Sequence, residues 1–297
     1  MSESSQPIDS ISLAAFFLVV LLGGSNSVAI RFSNRELAPF WGAFLRFAGA
    51  ALICWVILFV RKLKLPGMRD VLILAFVGFL ATGVSFALLY WALQTTVPVA
   101  FATLIMSTSP LFTLILAILH RIERFRIQSL VGGVVAFAGL ILSVNAQPGG
   151  SLLLPAILAL IVGSLFAAEA NVILKMQSFK SDPVIVNTLT FTSGAVFLGA
   201  ASFIARESWL LPVNPQTWTA LLYLIFGGSV LMFYLFIFVL NRWKASSASS
   251  AVLFFPLVAT TLAAVLAGEQ VTFAFVVGGL IVIAGVWLGA FYRKTGA

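Results

Sequence analysis

Residues 123–143, ERFRIQSLVGGVVAFAGLILS, return as residues 269–289, EQVTFAFVVGGLIVIAGVWLG. At an offset of 146 positions Glu123 meets Glu269, Gly132-Gly133 meets Gly278-Gly279, and Gly139 meets Gly285. Each copy is an acid and, a few residues on, a run of apolar and small residues. The rest of the chain is alike: 61% of its 297 residues are hydrophobic, 9% are charged, and the mean hydropathy is +1.13. Soluble domains carry about 25% charged residues. A chain this poor in charge cannot cover its surface with polar groups, so lipid is its main solvent.

A helix needs about 20 apolar residues to cross a hydrocarbon layer of roughly 30 Å. Ten such runs fill the sequence, at about 11–31, 37–60, 71–93, 97–119, 127–145, 152–175, 183–206, 215–241, 245–267 and 271–292. A transmembrane β-barrel would instead show segments of about ten residues with alternating polarity, and unbroken runs such as ISLAAFFLVVLLGG are the opposite pattern. The expected fold is an all-α integral membrane protein of ten transmembrane helices. Pro39, Pro98, Pro183 and Pro215 fall near helix starts, where the missing N–H costs nothing.

The net charge of +8 is a topology signal. Arg61, Lys62, Lys64, Arg69, Arg121, Arg124, Arg126, Lys175, Lys180, Arg242, Lys244, Arg293 and Lys294 all fall on one side of a ten-span arrangement. Only Arg31, Arg35 and Arg206 fall on the other, with Arg46 inside span 2. The positive-inside rule makes the thirteen-residue side cytoplasmic and puts both termini there. Charge dispersed in this way argues against a nucleic-acid partner. The N-terminal MSESSQPIDS has two acids and no base, unlike a signal peptide, so span 1 is expected to stay uncleaved. The single cysteine, Cys54, supports neither a disulfide framework nor a thiol metal site.

NAQPGG at 145–150 divides the spans five and five. Pro110 in STSPLFTL meets Pro256 in LFFPLVAT at the same offset of 146, and Gly24-Ser25 meets Gly163-Ser164 at an offset of 139. Five is odd, so the second half enters from the opposite side: residues 1–146 and 147–297 form two inverted five-helix repeats. Transporters built this way bind their solutes near the bilayer midplane, between the repeats. Glu123 and Glu269 then lie at span ends on opposite membrane faces, where they close or cap the bundle rather than bind substrate.

Candidate functional residues fall into groups. Pro110 and Pro256 lie near mid-membrane and free the carbonyls of Met106 and Val252, kinking spans 4 and 9; they either shape a central cavity or only adjust packing. Ala100, Thr103, Ser107 and Pro110 form a small, hydroxyl-bearing stripe on span 4, and Ser246, Ser249, Ser250, Leu253 and Pro256 form one on span 9. Such stripes hydrogen-bond a substrate or let backbones touch.

Intramembrane ionisable groups are costly and are functional candidates by default. Arg46 could attract a substrate carboxylate with its donor fork, or pair with Glu36 or with carbonyls. Glu169 could relay protons or neutralise a cation, or pair with Lys175. His120, among Arg121, Glu123 and Arg124, reads as a solvated interfacial residue. Asn26 and Asn171 are the polar amides of spans 1 and 6, and their role is open. Phe86, Tyr90 and Trp91 in span 3 are echoed by Phe233, Tyr234 and Phe236 in span 8, as cavity lining or as ordinary lipid and core contacts.

No phosphate loop with a lysine, no metal-spaced histidine pair and no Ser/His/acid set is present. No enzyme activity, ATP-driven transport or cofactor is therefore expected; the expected partners are a small-molecule substrate and the lipid bilayer, for a chain acting as a monomer.

GGSNSVAIRF, FLRFAGAAL, STSPLFTLILAILHRIERFRIQSLVGGVVAFAG and SSASSAVLFFPLVATTLAAVLAGEQVTFAFVVGGLIVIAG together resemble the EamA-type, ten-helix members of the drug/metabolite transporter superfamily. The resemblance runs over essentially the whole chain. One departure is Gly23-Gly24, where members typically carry Trp-Gly. The resemblance implies a secondary transporter in the plasma membrane, of bacterial inner-membrane type, often an exporter of amino acids or other small metabolites. It also implies a central cavity built from both halves with spans 4 and 9 at its middle. Proton-coupled multidrug efflux, with Glu169 as the coupling carboxylate, is the alternative within transport. A structural or signalling membrane protein without a solute is the alternative outside it.

Overall fold

Proline has no N–H to leave unpaired and holds φ near its helical value, so it is favoured at the first helical position. Pro39, Pro183 and Pro215 each open a helix, and the Asp182 and Asn214 side chains cap the latter two by accepting from the backbone N–H of Val184 and Gln216. The computed structural model describes residues 10–121, 127–145, 154–177, 182–240, 242 and 251–288. Glu123, Ser246, Ser249 and Ser250 lie outside the described residues.

The chain is helical, with no strand among the described residues. The helices are α1 (Ser10–Ser33), α2 (Pro39–Val60), α3 (Met68–Gln94), α4 (Val99–Leu119), α5 (Ile127–Asn145), α6 (Leu154–Gln177), α7 (Pro183–Ile204), α8 (Pro215–Val239), α9 (Ala251–Ala267) and α10 (Phe273–Val286). Among the described residues seven are long and apolar enough to cross a membrane, and shorter apolar helices lie in α5, α9 and α10. Phe59, Phe137, Val196 and Phe203 stand exposed on the surface, an arrangement that only a lipid solvent makes favourable. The protein is a multi-pass membrane protein.

The doubled glycine motif forms the seam between α5 and α10. A side chain on Gly139 would meet the Gly278 carbonyl at 2.7 Å, and one on Gly285 would meet the Gly132 carbonyl at 2.7 Å. Lipid tails are as apolar as leucine, so close backbone contact is a main source of helix pairing in a membrane.

The two prolines expected to kink their helices behave differently. α4 breaks between Val99–Met106 and Ser109–Leu119, with Pro110 opening the second piece, whereas α9 remains helical through Pro256. α3 and α8 each contain a six-residue π-helical turn, Phe79–Val84 and Phe226–Leu231.

One face of the bundle is fastened by carboxylates. A helix N-terminus presents unpaired N–H groups and partial positive charge, and three such ends are met by glutamates from elsewhere in the chain. Glu207 accepts from the N–H of Phe40 and Trp41 (3.1 and 2.8 Å) at the start of α2. Glu36 accepts from Val213 and Asn214 (both 3.1 Å) just before α8. Glu269 accepts from Val99 and Ala100 (2.7 and 3.3 Å) at the start of α4. The opposite, basic face carries the Arg61–Asp182 salt bridge at 3.1 Å.

Candidate functional site

Arg46 is the eighth residue of α2, about 10 Å along it at 1.5 Å per residue, and it has 0% exposure. Holding a buried guanidinium takes strong hydrogen bonds, because the loss of hydration costs several kcal/mol. The π-helical turn of α8 supplies them. Arg46 Nε donates to Ser229 Oγ at 2.8 Å, and Nη2 donates to the Gly228 carbonyl at 2.9 Å and to Asn26 Oδ1 at 3.4 Å. Asn26 Nδ2 donates to the same Gly228 carbonyl at 3.2 Å. A side chain on Gly228 would run into Asn26 Oδ1, so Asn26 keeps its place in the cluster only beside a glycine.

Aromatic rings close the remaining sides. The guanidinium carbon lies 4.8 Å from the Phe86 ring centre and 4.9 Å from that of Phe47, and cation–π attraction is strongest where water is excluded. Phe47, Phe191 and Phe233 continue the set, with ring centres 5.7 and 5.4 Å apart. The Tyr90 hydroxyl is an electrostatic neighbour of Arg46. Neither that hydroxyl nor Arg46 Nη1 has a hydrogen-bond partner of good geometry, although both are buried. The hydroxyl and the guanidinium thus face each other without a well-formed bond in a buried, ring-lined setting, a combination that offers two donors to an anionic group.

Four of the sequence candidates, Asn26, Arg46, Phe86 and Tyr90, are therefore brought into one cluster. Of the pairings considered for Arg46, the carbonyl is the one found, and Glu36 is occupied at the start of α8. Thr103 and Ser107 are buried, but their hydroxyls donate to the Val99 and Leu104 carbonyls of their own helix at 2.9 and 2.7 Å. Pro256 is buried in α9, Pro110 is partly buried in α4, and Tyr234 is exposed on α8. Asn171 is exposed on α6.

Glu169 does not join the Arg46 cluster. Its carboxylate meets His120 Nε2 at 3.0 Å near the basic face. The two were singled out separately in the sequence, and the structure joins them across α4 and α6.

Ser229 and Gly228 were not singled out. The structure shows an echo between the halves that ties them in: Arg46 and Thr190 are each the eighth residue of helices of the same length that both open on proline. Ser229 and Thr82 are each the fourth residue of a π-helical turn. The contacts repeat with the residues, since Thr82 Oγ1 donates to the Thr190 carbonyl at 2.8 Å where Ser229 receives Arg46. The first half carries an arginine where the second carries a threonine.

The comparisons place this multi-pass helical protein, with its buried guanidinium in a ring-lined polar cluster, in the class of membrane transporters. The sequence profile of the EamA-like transporter family matches residues 10–145 and again 154–290, and the chain belongs to this family. It is 25% identical over 285 residues to a probable amino-acid metabolite efflux pump of Salmonella typhimurium, covering 92% of this chain and 93% of that one. It is 26% identical over 265 residues to an inner membrane transporter of Escherichia coli, covering 87% and 83%. A solved crystal structure shares the fold, with a TM-score of 0.68 at 20% identity over 95% of this chain and 96% of its own.

Proposed function

We propose that this EamA-family protein is a secondary transporter of the plasma membrane that exports small metabolites, amino acids foremost. It works by alternating access, one five-helix half (1–146) rocking against the other (147–297). Ten crossings with both termini in the cytoplasm complete the reading, which puts the carboxylate-capped face outside. The two matches to the family profile support the division into halves, and the naming of the Salmonella relative supports the substrate class.

The observation that carries the proposal is the buried meeting of Arg46 and Tyr90, which interact although neither Nη1 nor the hydroxyl makes a well-formed hydrogen bond. A guanidinium in this position offers a carboxylate a planar donor fork. The surrounding Phe47, Phe86 and Phe191 favour an apolar or aromatic remainder. Counterflow in proteoliposomes tests this. Vesicles loaded with one apolar amino acid should accumulate the labelled form, and the corresponding amino-acid amide, which lacks the carboxylate, should compete at least about tenfold less well, as expected for loss of a charge-assisted contact. Equal competition by the amide would exclude carboxylate recognition at Arg46.

A second reading, proton-coupled efflux, draws on the Glu169–His120 pair, whose 3.0 Å contact joins two groups able to exchange a proton. Glu169→Gln should then make transport indifferent to a pH gradient. Retention of the gradient dependence in that variant would remove Glu169 from the coupling step.

A further inference from the structure

On the carboxylate-capped face, the end of α1, the α3–α4 turn and the α9–α10 turn enclose an open cleft of about 290 Å³ lined by Arg31, Arg35, Thr96, Pro98, Ala267 and Glu269. Ligand pockets run from roughly 300 to 1,000 Å³, so an occupant of this cleft is small. Its charges are arranged in an unusual way. Arg31 and Glu269 feel each other's field, yet no salt bridge joins them among the described residues. Each instead grips the backbone between them. Arg31 donates through Nη1 to the Thr95 carbonyl at 3.1 Å and through Nη2 to the Val97 carbonyl. Glu269 holds the N–H groups of Val99 and Ala100.

Neither side chain is used up by these contacts. A guanidinium has five donors and a carboxylate about four acceptor positions. Arg31 Nε is buried without a partner. Arg35 adds a second cation, placed 4.1 Å from the Phe32 ring centre and, among the described residues, hydrogen-bonded through its side chain only by a long 3.4 Å contact with Gln216. Thr96 completes the lining.

We propose that this cleft is a second binding site, separate from the Arg46 cluster, for a small zwitterion, with its carboxylate toward Arg31 and Arg35 and its ammonium toward Glu269. Opposite charges that face each other without closing into a salt bridge complement a ligand carrying the same pair in reverse. A simple anion or a simple cation would satisfy one wall and be repelled by the other. The ligand class is shared with the transport reading and rests on it, while the location rests on the cleft alone.

The test uses the full-length protein in lipid nanodiscs with leucine, N-acetyl-leucine and leucinamide as probes, read by calorimetry. Leucine should bind, and each derivative should bind at least about tenfold more weakly, because each lacks one of the two charges. Arg35→Gln should weaken leucine binding about fivefold, the scale of one partly exposed charge contact. Glu269→Gln should erase the preference for leucine over N-acetyl-leucine. The same measurements in an Arg46→Gln background, in which the central cluster is disabled, should show these effects still, so that the binding read belongs to the cleft. Should Glu269→Gln fold poorly, Arg35→Gln, whose side chain is exposed, carries the test.

No leucine binding, equal binding of the three probes, or indifference to Arg35→Gln would overturn the cleft site. Binding that depends on Arg46 but not Arg35 would overturn the cleft and leave the transport reading intact. Binding that depends on Arg35 without counterflow of any amino acid would do the reverse.

Discussion

A buried arginine with no acid beside it among the described residues is held by dipoles rather than by a counter-ion, and that changes what its replacement does. Removing one partner of a buried ion pair strands the other charge, but removing Arg46 takes a donor from two neutral acceptors, the Ser229 hydroxyl and Asn26 Oδ1, and reduces the bonding of a carbonyl that Asn26 still reaches. Arg46→Met should therefore shift thermal unfolding in detergent little, by about 1 kcal/mol or less in either direction, while lowering transport at least about tenfold, the scale of one lost charge-assisted contact. Arg46→Lys should not rescue transport, because an ammonium is a point charge and cannot span Ser229, Gly228 and Asn26 as the fork does. A destabilised Arg46→Met that still transports would make the arginine a structural post. The sequence exposed Arg46 as a charge inside a span, but not its partners. Gly228 and Ser229 become available through a π-helical turn, and periodicity of hydrophobic residues carries no sign of where a helix widens.

At the scale of elements, close contact between helices is made by particular glycines. Gly278 sits 2.8 Å, at its would-be side chain, from the Gly139 carbonyl, whereas nothing lies within 4 Å of the corresponding position on Gly133. Gly278→Leu should destabilise the protein by about 1–3 kcal/mol through overpacking of the α5–α10 seam, and Gly133→Leu should be nearly neutral in the same thermal melt. Similar losses for both would remove the seam as the reason for the motif. The capped face gives a second prediction: Glu207→Gln weakens the only side-chain cap at the start of α2 among the described residues and should cost about 1 kcal/mol, read as a lowered Tm. The repeat made the glycine motif conspicuous in the sequence. Which glycine of each pair touches depends on the rotation of one helix against the other, a tertiary property. The same limit applies to His120 and Glu169, visible as ionisable residues but joined only once α4 and α6 pack.

For the whole molecule, composition and charge asymmetry were enough to read a multi-pass helical membrane protein, because the bilayer permits so few alternatives. The inverted arrangement makes its own prediction. In a Cys54→Ala background, Gln216→Cys on the capped face should react with a membrane-impermeant maleimide in intact cells. Lys64→Cys, on the basic face, should react only after permeabilisation. Both side chains are exposed, and the one native cysteine is buried. Labelling of both positions from the same side would break the topology. The central claim is transport of an amino-acid-like solute dependent on the Arg46 cluster, and counterflow by purified protein in proteoliposomes tests it most directly. The account predicts accumulation of labelled apolar amino acid by the native protein, with at least about tenfold less by Arg46→Met at equal reconstitution. Absence of counterflow across a full amino-acid panel, or full activity in Arg46→Met, would contradict it.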